Sequence, residues 1–259
     1  MAKAKGKAVR AAVGGDVLDL NNQVVPDYVG DTKRGSEGVK SEDLTLPRLE
    51  LLQSLSPQVD KDDPAHIPGA EPGMMMNSVN KKIYGDKVVF IPVFFRKEWL
   101  IWKDRDSGGG FKGAYASERL AQAAMAQLDD ADDCDIQDTA QQFGLLVDPE
   151  STVENVMAEE IVLSMSRTKL SVSRELNSLV MMDGRDRFSR MYEIGSIGKK
   201  NPEGKSYKNF TVRQLGFTPE ALFQRAEAVY EAVKSGVKDV SRDDTDGDGK
   251  TDDDDDSEY

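Results

Sequence analysis

The run KVVFIPVFFRKEWLIWKDR, from Lys87 to Arg105, constrains the fold more than any other part of the chain. It is dense in β-branched and aromatic residues, which suit a pleated, half-buried surface. Pro92 interrupts it. A proline cannot donate to a sheet ladder, so the run is expected to bulge there or to lie at a sheet edge rather than form one uninterrupted central strand. Gly108-Gly109-Gly110 then reads as a flexible loop.

Other segments agree with a mainly β chain that carries helices at its periphery. EEIVLSMSRT, from Glu159 to Thr168, has strand composition. RFSRMYEIGSI and KSYKNFTVRQLGF are two strand-like runs joined by the turn-rich link GKKNPEGK, which makes the clearest hairpin in the chain. LPRLELLQSLSP (Leu46 to Pro57) is a short apolar segment, DKDDPAHIPGAEPG (Asp60 to Gly73) is loop by its Pro and Gly content, and Met74-Met75-Met76 is expected to pack on the core.

Three segments read as helices. Ser117 caps an Ala-rich stretch to Leu128. Val172, Leu176, Leu179 and Val180 form one apolar face between Lys169 and Met182, and Asp183-Gly184 stops it. Thr218-Pro219-Glu220 supplies a cap, a first-turn proline and an acid for a last helix whose stripe is Leu222, Phe223, Ala226, Val229, Tyr230 and Val233.

Charge is unevenly distributed. The net charge is -13, but Asp239 to Tyr259 holds 11 acids against 2 bases, and Ala116 to Glu160 holds 12 acids against the single base Arg119. Two basic segments alternate with them: 8 bases and 4 acids from Lys81 to Tyr115, and 11 bases and 5 acids from Ser166 to Gly216. Such a distribution says more about partners than the total does. Residues 1–43 lack a sustained period and read as a disordered basic and polar arm, and 238–259 as a disordered acidic tail. Between arm and tail, 44–237 is the expected folded domain, with 116–160 as an acidic insertion and Asp129 to Asp138 as a solvated surface loop.

Several chemistries are poorly supported. The chain has one histidine, His66, and one cysteine, Cys134, so neither a zinc site of about four Cys or His ligands nor an internal disulfide can be assembled. A lone cysteine fits a reducing cytoplasm. No apolar run nears the roughly 20 residues that span a bilayer, and the N-terminal stretch lacks the apolar core of a signal peptide. Gly204-Lys205-Ser206 resembles the end of a phosphate loop, but five residues separate it from Gly198 where the motif has four, and strand-like sequence lies on both sides. No cofactor or catalytic residue is expected. In the tail, Asp244, Asp246, Asp248 and Gly249 match the start of a calcium loop, with Asp252 and Asp255 at its ninth and twelfth places. No amphipathic helix follows, and Thr251 stands where an apolar residue normally ties such a loop to a core. The expectation is an anionic tail.

The basic segments are also the aromatic ones. Phe94, Phe95, Trp99, Trp102, Phe111 and Tyr115 interleave with Arg96, Lys97, Lys103, Arg105 and Lys112. Phe188, Tyr192, Tyr207 and Phe210 interleave with Arg190, Lys199, Lys200, Lys205, Lys208 and Arg213. A protein that holds single strands without reading them needs cations for phosphates and flat rings for bases, each stacked base contributing about 1–3 kcal/mol. Side chains alternate along a strand, so about half of these rings should be core packing, and Trp99 and Trp102, an odd number apart, should face opposite ways. The candidates for strand contact are Arg96, Lys97, Trp102, Lys103, Tyr192, Lys199, Lys200, Tyr207, Lys208 and Arg213.

The aromatic, Lys-rich body, the hairpin IGSIGKKNPEGKSYKNFTVRQLGF and the acidic tail ending in Tyr259 together resemble bacteriophage single-stranded-DNA-binding proteins of the T7-like kind. That resemblance implies an α+β, mainly β chain with an OB-like barrel of five strands. It implies a non-enzymatic role in phage DNA replication or recombination in the host cytoplasm. It also implies a tail (Asp252, Asp253, Asp254, Asp255, Asp256 and Tyr259) that contacts the replicative DNA polymerase and the helicase-primase. Members often dimerise, so a homodimer is a further expectation. The rival readings are a phage structural or assembly protein that acts through protein contacts and, second, a metal-dependent nucleic-acid enzyme.

Overall fold

The computed structural model describes residues 10–13, 16–19, 34–38, 46–104, 107–152 and 156–235. The chain divides into two compact units, Met1–Val39 and Lys40–Tyr259. In the first, β1 (Arg10–Val13) pairs antiparallel with β2 (Asp16–Asp19), and Val13 lies opposite Asp16. This hairpin departs from the structureless arm expected over 1–43. The two residues between its strands are Gly14 and Gly15, a composition that two-residue hairpin links favour. The tail, with Asp252–Asp256, Tyr259 and the calcium-loop residues, lies outside the described residues.

The second unit is mainly β, with antiparallel sheets and, among the described residues, three α-helices. Its main sheet centres on β6 (Lys87–Lys103), flanked by β8 (Cys134–Val147) and then β9 (Ala158–Ser166) on one side. On the other side β10 (Arg190–Lys200) pairs with Lys87–Phe90, and β7 (Phe111–Tyr115) pairs with Trp99–Trp102. β11 (Ser206–Phe217) completes the hairpin with β10. Pro92 therefore marks a bulge, as expected, although it lies in a long central strand. Its missing N–H is tolerated because the ladder to β8 shifts register between Pro92 and Phe94, and because the other edge is unpaired between the β10 and β7 segments. Gly144 lies opposite Pro92; a side chain there would meet the Ile91 carbonyl and the Phe90 ring.

β8 overturns a second expectation. Residues 116–160 were to be an insertion, yet they contain a strand that pairs with β6 from Val147 to Cys134. Thr139 to Leu146 is buried throughout. Of the acids before and at the start of the strand, Asp130 and Asp138 meet lysines, while Asp129, Asp132, Asp133 and Asp135 stay exposed.

Both faces of the central strands are covered, so these strands read as near-continuous apolar runs. On one face Phe90, Leu146, Ile161, Leu163, Tyr192, Ile194 and Phe210 pack with Val172, Leu176 and Val180 of α2 (Leu170–Asp183) and with Leu49, Leu51 and Met75. The last three belong to a small sheet of β3 (Leu49–Leu51), β4 (Met75–Asn77) and β5 (Ile83–Gly85). On the other face Ile91, Val93, Phe143, Leu145 and Val162 pack with Leu222, Ala226, Val229 and Val233 of α3 (Glu220–Lys234). Thr218 does not cap α3; its hydroxyl donates to the Phe188 carbonyl at 2.8 Å, and Pro219 takes the cap position. Ser117 does cap α1 (Glu118–Met125), accepting from Leu120 N–H.

The main sheet coils back on itself. Thr168 stands two residues beyond the end of β9, yet its carbonyl accepts from Asn209 Nδ2 of β11 at 3.2 Å. Laid flat, the outermost strands of a five-strand path would be about 19 Å apart at the usual spacing of about 4.8 Å. The gap between these edges is spanned by residues 47–53. The Val162 N–H bonds the Pro47 carbonyl at 2.8 Å, and the Gln53 side chain bonds both backbone groups of Lys208, at 2.8 and 3.0 Å. An amide side chain thus replaces a ladder, and no strand pairing closes the coil among the described residues. Of the expected OB-like barrel, what forms is a mainly β, antiparallel sheet that does not close.

Candidate functional site

The ten candidate residues fall into two regions with different surroundings. The first is the far half of β6. Arg96 lies 3.6 Å from Glu98 and 5.2 Å from the Phe143 ring centroid. Lys97 pairs with Asp138 at 2.9 Å and stands 4.8 Å over the Trp99 ring. Lys103 and Lys112 share Asp130, at 2.8 and 2.9 Å. Those two ammonium groups hold the Asp130 carboxyl down to about 2, and Asp130 in turn raises Lys103. Trp102 packs on Phe111 with centroids 5.1 Å apart. The stretch expected to be a solvated loop supplies the counter-charges.

The second region is the β10–β11 hairpin. Its link is closed by Asn201 and Lys205: the Asn201 N–H bonds the Lys205 carbonyl, and the Lys205 N–H bonds Asn201 Oδ1, both at 2.9 Å. Gly204, at φ 85°, takes the left-handed turn position that glycine adopts without strain. Register then decides which side chains share a face. Glu193 lies opposite Arg213, Gly195 opposite Thr211, Ile197 opposite Asn209 and Lys199 opposite Tyr207, so these belong to one side of the ribbon. Lys87, opposite Gly195 on β6, joins them.

This outer face is the side on which α3 packs, against β6, β8 and β9 and against Phe188 and Met191 at the start of the hairpin. Ile197, Lys199, Thr211, Arg213 and Lys87 are exposed, and Tyr207 is half-buried. Arg213 holds Glu193 through Nη2 at 2.8 Å and Nε at 3.3 Å, while Lys87 Nζ lies 3.6 Å away. Arg213 draws the Glu193 carboxyl below its ordinary value and is itself raised. At the tip Lys199 and Lys200 are exposed, and Lys205 lies 3.4 Å from Glu203. From Met191 to Phe217 the hairpin carries 5 bases and 2 acids.

Three candidates do not join this face. Tyr192 is 1% exposed, sealed beneath α2 and opposite Phe90, because residue 192 alternates to the inner side. Lys208 turns to the same inner side, where its aliphatic stem packs on Gly73; a Cβ there would stand 3.3 Å from Cδ and Cε. Lys200 alternates away from Lys199 at the tip. Residues that the sequence reading passed over are Lys87, Ile197 and Thr211, which only the pairing register places beside Lys199. Arg167 was also missed. It reaches Asp135 at 3.7 Å, one residue before the Thr168 contact to β11, and so links the two regions.

Other polar clusters serve packing. Arg187 is bonded to Gln142 and, at 2.6 Å, to Asn177, and burial lowers it to about 10. Tyr84 donates to Glu159 at 2.7 Å, and burial lifts its phenol to about 12. Together with Lys82, which reaches Glu159 and Asp148, it ties the small sheet to β8 and β9. Among the described residues no group of three or more His, Cys, Asp or Glu is placed to hold a metal ion, and no helix is long and apolar enough to cross a membrane.

The family model described as Pam3 phage gp34-like protein matches residues 19–239. The chain belongs to the Pam3 phage gp34-like family. This is a family of phage proteins, and its matched span covers the coiled sheet, both regions above and all three helices, ending where the carboxylate-rich tail begins. No curated protein and no solved structure matches the chain.

Proposed function

We propose that this phage-family protein binds single-stranded DNA without reading its sequence, through the outer face of the β10–β11 hairpin, in phage DNA replication or recombination. One observation carries the reading. The exposed face sets Lys87, Lys199 and Arg213 beside Tyr207 and Ile197, with no helix over them among the described residues. Cations that track a backbone, with a ring and an apolar side chain between them, suit unstacked bases on a flexible polyanion. The coiled five-strand path supports an OB-like relationship with an open seam. In this reading the tail from Asp239 to Tyr259 competes for the face at high effective concentration and, when displaced, recruits the replicative polymerase and helicase-primase. On the same reading the protein acts by binding alone.

Fluorescence anisotropy with labelled oligothymidine tests the reading. Sub-micromolar binding is expected, weakening with salt, tightening on deletion of 239–259 and weakening about ten- to a hundredfold in Lys199→Glu/Lys200→Glu. No binding with or without the tail ends it. An oligouridine arm separates DNA from RNA preference.

A second reading, an assembly protein, is favoured by one patch. Met181, Met182 and Phe217 are 76%, 83% and 56% exposed, and Arg190 and Arg185 lie 3.8 and 5.5 Å from the Phe217 ring. Met, Phe and Arg are enriched in protein interfaces. Substituting all three apolar residues by Ser would abolish self-association if that reading holds, and leave oligonucleotide binding intact if the first does.

A further inference from the structure

Glu193 occupies an unusual place for an acid. It lies within the cationic face, between Arg213 on one neighbouring strand and Lys87 on the other. Both guanidinium contacts point at it, Nη2 to Oε2 at 2.8 Å and Nε to Oε1 at 3.3 Å, and Lys87 Nζ is 3.6 Å from Oε1. The fork of an arginine matches a carboxylate and a phosphate equally well. The cations are open to solvent, Arg213 at 64% and Lys87 at 63%. An ion pair so exposed contributes little to folding. Nearby, Gly195 leaves the floor of the face low, since a Cβ there would already crowd Thr211 Oγ1 at 2.7 Å.

We infer that Glu193 is a built-in competitor, its carboxylate occupying the arginine fork that a backbone phosphate would enter and so setting the affinity of this face for polyanions. The inference rests on the outer face of the hairpin being the binding face. Incoming phosphate displaces the Glu193 contact from Arg213 and Lys87, so part of the attraction is spent on exchange. This favours a weaker, faster-releasing hold along the strand. The ordinary alternative is a cross-strand pair that only steadies the ribbon.

The test compares the full-length protein with Glu193→Gln, Glu193→Gln/Arg213→Ala and Glu227→Gln. Glu227 is an exposed acid on α3, so its variant makes the same change in net charge elsewhere. Two probes are used: labelled oligothymidine across a salt series, and elution from immobilised heparin. Glu193→Gln should bind oligothymidine about three- to tenfold more tightly and steepen the salt dependence by about 0.7 for each cation released. It should elute from heparin at higher salt than both wild type and Glu227→Gln, and the gain should vanish in the double variant. Melting temperatures should stay within about a degree or two, as for surface substitutions. Equal shifts in Glu193→Gln and Glu227→Gln, or no shift, overturn the inference. So does a fall in melting temperature without an affinity gain. If heparin retention rises while neither protein binds oligothymidine, the competitor role stands and the single-strand reading fails. If both bind oligothymidine alike at every salt, the reverse holds.

Discussion

The far half of β6 and the β10–β11 hairpin are built from the same residue types, Lys and Arg interleaved with Phe, Trp and Tyr. Around β6, Lys97 meets Asp138, Lys103 and Lys112 meet Asp130, and Arg96 meets Glu98. On the hairpin, Glu193 answers Arg213 and Lys87, Glu203 answers Lys205, and Lys199 and Lys200 stand exposed at the tip. Asp130 and Asp138 account for most of the difference, because β8 and the turn before it run beside β6 and bring these two acids to its cations. A basic segment in a sequence is therefore a basic surface only if the fold brings no acidic strand against it.

The comparison breaks first on two tyrosines. Tyr192→Ala, in the core, should cost about 3–5 kcal/mol of stability, as expected for a large buried ring, read by denaturant unfolding. Tyr207→Ala should leave the melting temperature nearly unchanged; a collapse there would place that ring in the core too. Next comes charge reversal. Lys199→Glu/Lys200→Glu should weaken oligothymidine binding by about ten- to a hundredfold near 0.1 M salt, whereas Lys97→Glu/Lys103→Glu should leave it within about twofold, because those cations are already neutralised. Equal losses from both pairs would erase the distinction between the regions. Tyr207→Ala should reduce the same binding by about 1–3 kcal/mol if a base stacks on it, while Trp102→Ala should instead lower stability, its pairing with Phe111 being worth about 0.5–1.5 kcal/mol beyond the buried area.

The smallest expected effect is the part of the pH dependence that Asp130 contributes in the β6 region. The Asp130 carboxyl sits at about 2 in the folded chain against an ordinary 3.8. A depressed carboxyl contributes stability that is complete above its unfolded value and fades as pH falls toward the folded one. Asp130→Asn should therefore flatten the loss of melting temperature between about pH 4 and pH 2. An unchanged acid limb would mean that the bonds to Lys103 and Lys112 are not maintained in solution.

Local signals were legible. The hairpin announces itself through Asn201-Pro202 and Gly204, α1 through Ser117, and the stop of α2 through Gly184, which adopts φ 67°. The apolar stripe of α3 is the one that packs, with Leu222, Ala226, Val229 and Val233 buried. β8 was not legible, since its buried half, Thr139 to Leu146, follows directly on a carboxylate run that reads as loop. Nor was the outer face. Lys87 reaches it from a strand more than 100 residues away in sequence, and its membership depends on Gly195 being the residue opposite.

The sequence by itself determined that the chain is mainly β, that it turns sharply at Asn201–Lys205 and that its apolar periodicities make helices, because each of these rests on residues a few positions apart. Tertiary structure decided which strands neighbour which, where the sheet coils, and which cations keep their charge unanswered. Pairing register and ion pairing depend on residues that only folding brings within a few ångströms, and Coulomb interaction is settled by that distance rather than by separation along the chain.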